Sequence, residues 1–219
     1  MITLAHLRAA FNLSEFDPRP ALVKMAPYRA ETLESPYPDP SAPPPNEAGV
    51  LALVYPDDEG RLGVLLTLRN DKLRGHSGQV SFPGGRRDPT DPDFTATALR
   101  ETCEELGLCN PPTEILGMMT RIYIPPSHFY VHPTVAYLNR LPSLQPNPEE
   151  VAEVFTLPLQ DLFDDRLKQH DYHQFNGYRV RVPYYNVQGH KVWGATAVML
   201  SELEHRLRAV VPSELLQTR

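Results

Sequence analysis

Two uninterrupted apolar runs, Val50-Leu51-Ala52-Leu53-Val54-Tyr55 and Leu62-Gly63-Val64-Leu65-Leu66-Thr67-Leu68, stand on either side of Pro56-Asp57-Asp58-Glu59-Gly60. Neither run alternates with polar residues, so neither suits a strand with one wet face. The pair reads as a hairpin of two strands buried on both faces, and a sheet built on it needs cover above and below. Helical patterns elsewhere in the chain can supply that cover. Leu4, Leu7, Ala10 and Phe11 recur at helical spacing within Ile2–Leu13, as do Ala195, Val198, Met199, Leu203 and Leu207 within Ala195–Val210. A central helix is predicted from an N-cap at Asp93 or Thr95 to Gly107. Further strands are predicted at Gln79–Phe82, Ile115–Tyr123, Val131–Leu138 and Tyr178–Val182, and Glu149–Phe155 reads as a loop and strand leading to a short helix at Leu157–Phe163. The expected fold class is α/β, a sandwich with a single central mixed sheet flanked by helices.

A chain of 219 residues favours one domain with additions over two. Pro36, Pro38, Pro40, Pro43, Pro44 and Pro45 crowd a short interval that must be extended, because proline lacks the amide that a helix or inner strand needs. Residues 1–46 are therefore expected to be an N-terminal helix and proline-rich arm packing on a domain of residues 47–219. A net charge of −6 argues against bulk nucleic-acid binding. Between Leu68 and Arg87, however, Arg69, Lys72, Arg74, Arg86 and Arg87 face Asp71 alone, a segment suited to a small anionic ligand. No apolar run approaches the ~20 residues of a membrane span, and Met1-Ile2-Thr3-Leu4 lacks the charged head and apolar core of a signal peptide. The expected location is cytoplasmic. Cys103 and Cys109 have no metal-binding spacing and are expected to be reduced thiols.

The predicted central helix carries an unusual charge pattern. Leu99, Cys103 and Leu106 fall on one face, with Glu101, Glu104 and Glu105 gathered on the other. Glu101 and Glu105 are like charges at i,i+4, and the last turn of a helix prefers cations. Arg100, four residues before Glu104, relieves part of the repulsion and is expected to pair with a neighbouring carboxylate or, as the alternative, to contact substrate. A solvated acidic face is the bland explanation. With the Gly84-Gly85 turn just upstream, a better one is a hard divalent cation such as Mg²⁺, which takes a few carboxylate oxygens and leaves its other positions to water and phosphate. His128 with His132, and His170 with His173, have spacings that would serve a metal on a helix, but their surroundings read as turn and strand.

Gly85, Arg100, Glu101, Glu104, Glu105, Gly107 and Leu108 resemble the signature of the Nudix hydrolases, G-x5-E-x7-R-E-U-x-E-E-x-G-U with U a bulky aliphatic residue. Thr102 departs from it, and the interval from Gly85 to Arg100 is one residue longer, which leaves Asp91 or Asp88 to replace the first Glu. Upstream, Leu65-Leu66-Thr67-Leu68-Arg69, Arg74, Gly78 and Phe82-Pro83-Gly84-Gly85 resemble the extra motif of the coenzyme A pyrophosphatase branch, with Asn70 where that branch prefers Ser or Ala. Val192-Trp193-Gly194-Ala195-Thr196-Ala197 is similar to the ending of that branch. The resemblance implies a Nudix-type α/β/α sandwich. The implied activity is Mg²⁺- or Mn²⁺-dependent hydrolysis of coenzyme A, including acylated or oxidised forms, to 3′,5′-ADP and 4′-phosphopantetheine. Metal ligands would be Glu101, Glu104, Glu105 and the Gly85 carbonyl. Arg69, Arg74, Gly78 and Phe82 would serve substrate recognition. A further carboxylate, as base or ligand, would come from Glu149, Glu150 or Glu153. The alternatives are a Nudix pyrophosphatase for ADP-ribose or a dinucleotide, and a catalytically silent nucleotide-binding module.

Overall fold

The computed structural model describes residues 1–29, 38, 40–71, 78–175 and 178–216. In chain order the elements are α1 (Leu4–Phe11), α2 (Arg19–Met25), β1 (Tyr28–Arg29), β2 (Asn46–Pro56), β3 (Leu62–Arg69), β4 (Val80–Ser81), β5 (Gly84–Arg86), α3 (Phe94–Leu106), β6 (Glu114–Met118), β7 (Ile122–Ile124), β8 (Phe129–Tyr137), β9 (Val151–Pro158), β10 (Lys168–Phe175), β11 (Tyr178–Val187), β12 (His190–Trp193) and α4 (Gly194–Arg208). The short helix expected at Leu157–Phe163 is a 3₁₀ turn over Leu159–Phe163.

The apolar hairpin is the middle of a mixed sheet ordered β4-β3-β2-β8-β6, with β9 on β3, β5 on β2 and β7 on β8. β2 runs parallel to β8 and antiparallel to β3 and β5. β3 and β5 share one edge of β2, β3 pairing at Val54–Pro56 and β5 at Ala48–Val50, so the Gly84-Gly85 turn enters the sheet directly beneath α3. Both faces are covered, as the continuous apolar runs require. Leu51, Leu53, Tyr55 and Leu65 pack with Ala98 and Leu106 of α3. Ala52, Val54, Val64 and Leu66 pack on the other side with Leu200, Leu203 and Leu207 of α4 and with Leu7 and Met25 of the N-terminal helices. Gly49 lets α3 come close: a Cβ there would lie 2.4 Å from the Phe94 carbonyl oxygen.

One feature corrects the single-sheet expectation. β10, β11, β12 and β1 form a second antiparallel sheet beside the central one. Lys168-Gln169-His170-Asp171-Tyr172-His173-Gln174 has no apolar alternation, so β10 is defined by its pairing with β11 and not by its own pattern. α2 is also unexpected, because Pro18 and Pro20 look like interruptions; Pro20 lies in the first turn, where a missing amide costs nothing. The predicted strand Ile115–Tyr123 is split into β6 and β7, both on β8, with a register shift between Ile115 and Gly117. Cys103 and Cys109 are joined in a disulfide and are not the reduced thiols expected, since the left-handed Gly107 turns the chain back onto the last turn of α3. Residues 30–37 and 39, and with them much of the proline-rich arm, lie outside the described residues.

Candidate active site

α3 starts where its sequence says it should. Asp93 accepts a hydrogen bond from the Ala96 amide at 2.8 Å, and Gly107 ends the helix with φ of 69°. The three acids do not share one exposed patch, as the helical count had them. Glu105 lies on the buried side with Ala98, Thr102 and Leu106, Glu101 is half-buried, and Glu104 is exposed. Thr102, the departure from the aliphatic pattern, is fully buried and donates its hydroxyl to the Ala98 carbonyl at 2.6 Å, so the polar group is satisfied inside the helix.

Glu105 is the most perturbed acid of the group. Burial pushes its carboxyl up to about 7, against the opposing effects of the Gly84 amide and Arg69. The Gly84 N–H donates to its Oε2 at 3.1 Å, and Arg69 Nη1 lies 3.6 Å from its Oε1. Arg69 Nε is buried with no hydrogen-bond partner among the described residues. Burial also raises Glu101, although Arg100 pulls the other way. A Cβ on Gly85 would fall 2.4 Å from Glu101 Oε2, so only glycine leaves that carboxylate against the main chain.

Arg100 ties the acids together. It donates to Glu101 Oε1 at 2.9 Å, Glu104 Oε1 at 3.0 Å and the Arg86 carbonyl at 2.9 Å, and forms a two-pronged pair with the buried Asp91. Of the two acids that could replace the first acid of the signature, Asp91 is the one that Arg100 holds, and its carboxyl is kept well below the usual range by that guanidinium. Asp88 instead accepts from Thr90.

The loop acids separate cleanly. Glu150 adds its charge to those felt by both Glu101 and Glu105. Glu153 is instead paired with His190 at 3.3 Å, and Glu149 is exposed. A β-bulge between Leu68 and Arg69 sets Val151, not Ala152, opposite Arg69 and sends Val151 into the core under α3. Phe82, expected at the substrate, is 1% exposed in the core, so its ring supports the Gly84-Gly85 turn and is not a contact surface. Gly78 is exposed with φ of 65°, and Arg74 lies outside the described residues. The histidines are not gathered: His132 stacks on Phe94 at 3.6 Å and bonds to Glu47 at 2.5 Å, His128 bonds to Tyr123 and the Pro43 carbonyl, and His170 and His173 lie on opposite faces of β10.

The metal-ligating atoms that Glu101, Glu105 and the Gly85 carbonyl offer are all oxygen. Among the described residues no three His, Cys, Asp or Glu side chains form a ready-made cage. One or two carboxylates with a main-chain carbonyl and open positions is the set that Mg²⁺ takes when it binds a phosphate substrate, so the residues fit such a cation. Asn147 is the position that residue type alone did not mark: its amide donates to the Glu105 carbonyl at 2.8 Å, a contact made through the main chain.

The NUDIX domain matches residues 45–178, from the start of β2 to the start of β11. The chain belongs to the Nudix family. This Nudix protein is 44% identical over 140 residues to the mitochondrial coenzyme A diphosphatase NUDT8 of Homo sapiens, across 62% of this chain and 59% of that protein. The mitochondrial coenzyme A diphosphatase NUDT8 of Mus musculus is 41% identical over 150 residues, across 67% of this chain and 70% of that one. The chain thus spans less than two thirds of the length of the human relative. The solved structure of the Nudix hydrolase RenU of M. Smegmatis matches with a TM-score of 0.51 at 19% identity, over 76% of this chain and 88% of that one, which is a likeness of fold. No helix among the described residues is long and apolar enough to cross a membrane.

Proposed function

We propose that this Nudix protein hydrolyses the pyrophosphate of coenzyme A, or of an acylated or oxidised form, to 3′,5′-ADP and 4′-phosphopantetheine with Mg²⁺ or Mn²⁺. The observation that carries the reaction class is the convergence of buried Glu105, half-buried Glu101, the Gly84-Gly85 turn and Arg69 on one point. Coenzyme A is supported by the Leu65–Gly85 motif and by the coenzyme A diphosphatases among its relatives.

Glu101 and Glu105 with the Gly85 carbonyl would hold the cation, and Glu104 would join from the rim where Arg100 holds it. The cation would neutralise charge on the pyrophosphate and acidify a bound water. The remaining work belongs to the chain. Arg100, anchored by Asp91, keeps Glu101 and Glu104 from turning away from each other. Arg69, whose side chain is partly exposed beside Glu105, and Arg74 contact substrate phosphates, where a guanidinium can bind two oxygens at once. Glu150 orients the attacking water. The partner is a small molecule and the proposed location is the cytoplasm, which cell fractionation checks.

The test is hydrolysis of coenzyme A, ADP-ribose and NADH side by side with each cation, with products identified by mass. Preferential release of 4′-phosphopantetheine supports the reading. Strong preference for ADP-ribose or NADH overturns the substrate, and inertness toward all three supports a silent module.

A further inference from the structure

The loop before β9 is built around one side chain. The Asn147 amide donates to the Glu105 carbonyl, one of the helix-end carbonyls that have no partner inside α3, at 2.8 Å. Asn147 Oδ1 accepts from the Glu149 amide at 3.1 Å, and its carbonyl accepts from the amides of Glu150 and Val151 at 3.0 and 2.8 Å. Its Nδ2 then donates to Glu150 Oε1 at 3.0 Å. From the other side, the Asn70 amide donates to the Glu150 carbonyl and Asn70 Nδ2 to the Pro148 carbonyl, both at 2.8 Å. Asn70 is the position where the coenzyme A branch pattern prefers Ser or Ala, of which Ala has no side-chain donor and Ser only a shorter one.

We propose that Asn147, braced by Asn70, is a positioning residue that holds the Glu150 carboxylate for the site of Glu101 and Glu105, making Glu150 rather than Glu149 or Glu153 the loop carboxylate that joins the helix acids. The inference rests on the reading of Glu101 and Glu105 as the reacting acids. A carboxylate whose charge reaches two others is driven away by like charge, and a loop side chain is free to swing into water. A lysine or arginine would hold it by cancelling its charge. The amide of Asn147 holds one oxygen, keeps the charge and leaves Oε2 free to act on a water. The same residue is hydrogen-bonded to the end of the helix that carries Glu105, so the distance between Glu150 and Glu105 is set through a single side chain and its own backbone.

A double-mutant cycle on the full chain tests this. Asn147→Asp keeps every main-chain bond and the acceptor for Glu149, and turns the donor facing Glu150 into a carboxylate oxygen that repels it. It should lower kcat on coenzyme A by about 10- to 100-fold, the range for groups that orient a reacting residue. KM and Mn²⁺ affinity measured by paramagnetic resonance without substrate should change by less than about 3-fold, and Asn147→Asp in a Glu150→Gln background should cost no more than about 2-fold. A full multiplicative loss in the double variant, or Mn²⁺ affinity falling in step with kcat, overturns the proposal, because Asn147 would then support the helix end and not Glu150. Asn70→Ala offers a milder variant whose loss must also vanish in the Glu150→Gln background. If the wild-type chain leaves coenzyme A intact and cleaves ADP-ribose, the substrate reading fails and the cycle is read on ADP-ribose, where the same outcomes decide it.

Discussion

Glu105 is where burial, charge and chemistry meet. Its carboxyl sits at about 7 in the fold, against ~4.3 for an unperturbed glutamate. Between those values the metal-free native state holds a proton that the unfolded chain has released, so stability is greatest below pH ~4.3 on this account and falls as pH rises toward 7. Glu105→Gln removes that dependence. In chelator at pH 8 it should stabilise the protein by about 2 kcal/mol, and at pH 5 by much less, as measured by urea unfolding. Turnover should fall by at least ~10³-fold. A variant that keeps most of its activity would contradict the assigned role. The two glycines beside it should behave differently. At Gly85 an added Cβ meets the mobile end of Glu101, so Gly85→Ala should fold normally and lose about 10²-fold in kcat. At Gly84, φ is +149° and the Cβ would meet the Gly49 carbonyl oxygen at 2.4 Å, so Gly84→Ala should cost about 2–3 kcal/mol of fold stability in the same unfolding measurement.

At the level of elements, α3 is fixed at both ends by its own sequence and along its length by Arg100. The Asp91–Arg100 pair joins the extra-long loop to the helix. Asp91→Ala should cost about 2 kcal/mol, less than the ~3–5 for a fully buried pair because Arg100 is partly exposed, and should lower kcat as Arg100 pulls on Glu101. Urea unfolding and steady-state kinetics on the same variant check both. The motif spacing and the N-cap made this helix legible, because caps and i,i+4 relations lie within one element. The separation of Glu101, Glu104 and Glu105 was not, since the depth of each side chain depends on where β3 and β5 lie beneath the helix.

On the scale of the whole molecule, the N-terminal helices are part of the core. Ile2, Leu7 and Ala10 of the first segment and Ala21 and Met25 of the second are buried, and most of them share one apolar cluster with α4. Arg8 pairs through two bonds with Glu114 of β6, and Lys24 reaches the fully buried Glu204 of α4. Ile2, Leu7 and Met25 alone bury side chains worth ~1.5–3 kcal/mol each, a sum comparable with the whole stability of a domain. A chain starting at residue 28 should therefore melt far lower or fail to accumulate in soluble form. Cooperative melting within a few degrees of the full chain would show that α4 finds other cover.

By itself the sequence determined the elements whose signals are local. These are the doubly buried hairpin, the capped acidic helix and the arginine four residues before Glu104, whereas Gly84-Gly85, read as a turn, is part of strand β5. Their physics lies in the periodicity and end groups of short segments. Only the tertiary structure decided which acid faces which. It paired Asp91 with Arg100 and Asp88 with Thr90, gave Glu150 to Asn147 and Glu153 to His190, buried Phe82 and Glu105, joined Cys103 to Cys109, and formed β10 by pairing it with β11. Each of these depends on contacts between residues brought together by the fold, and no spacing within a single segment records them.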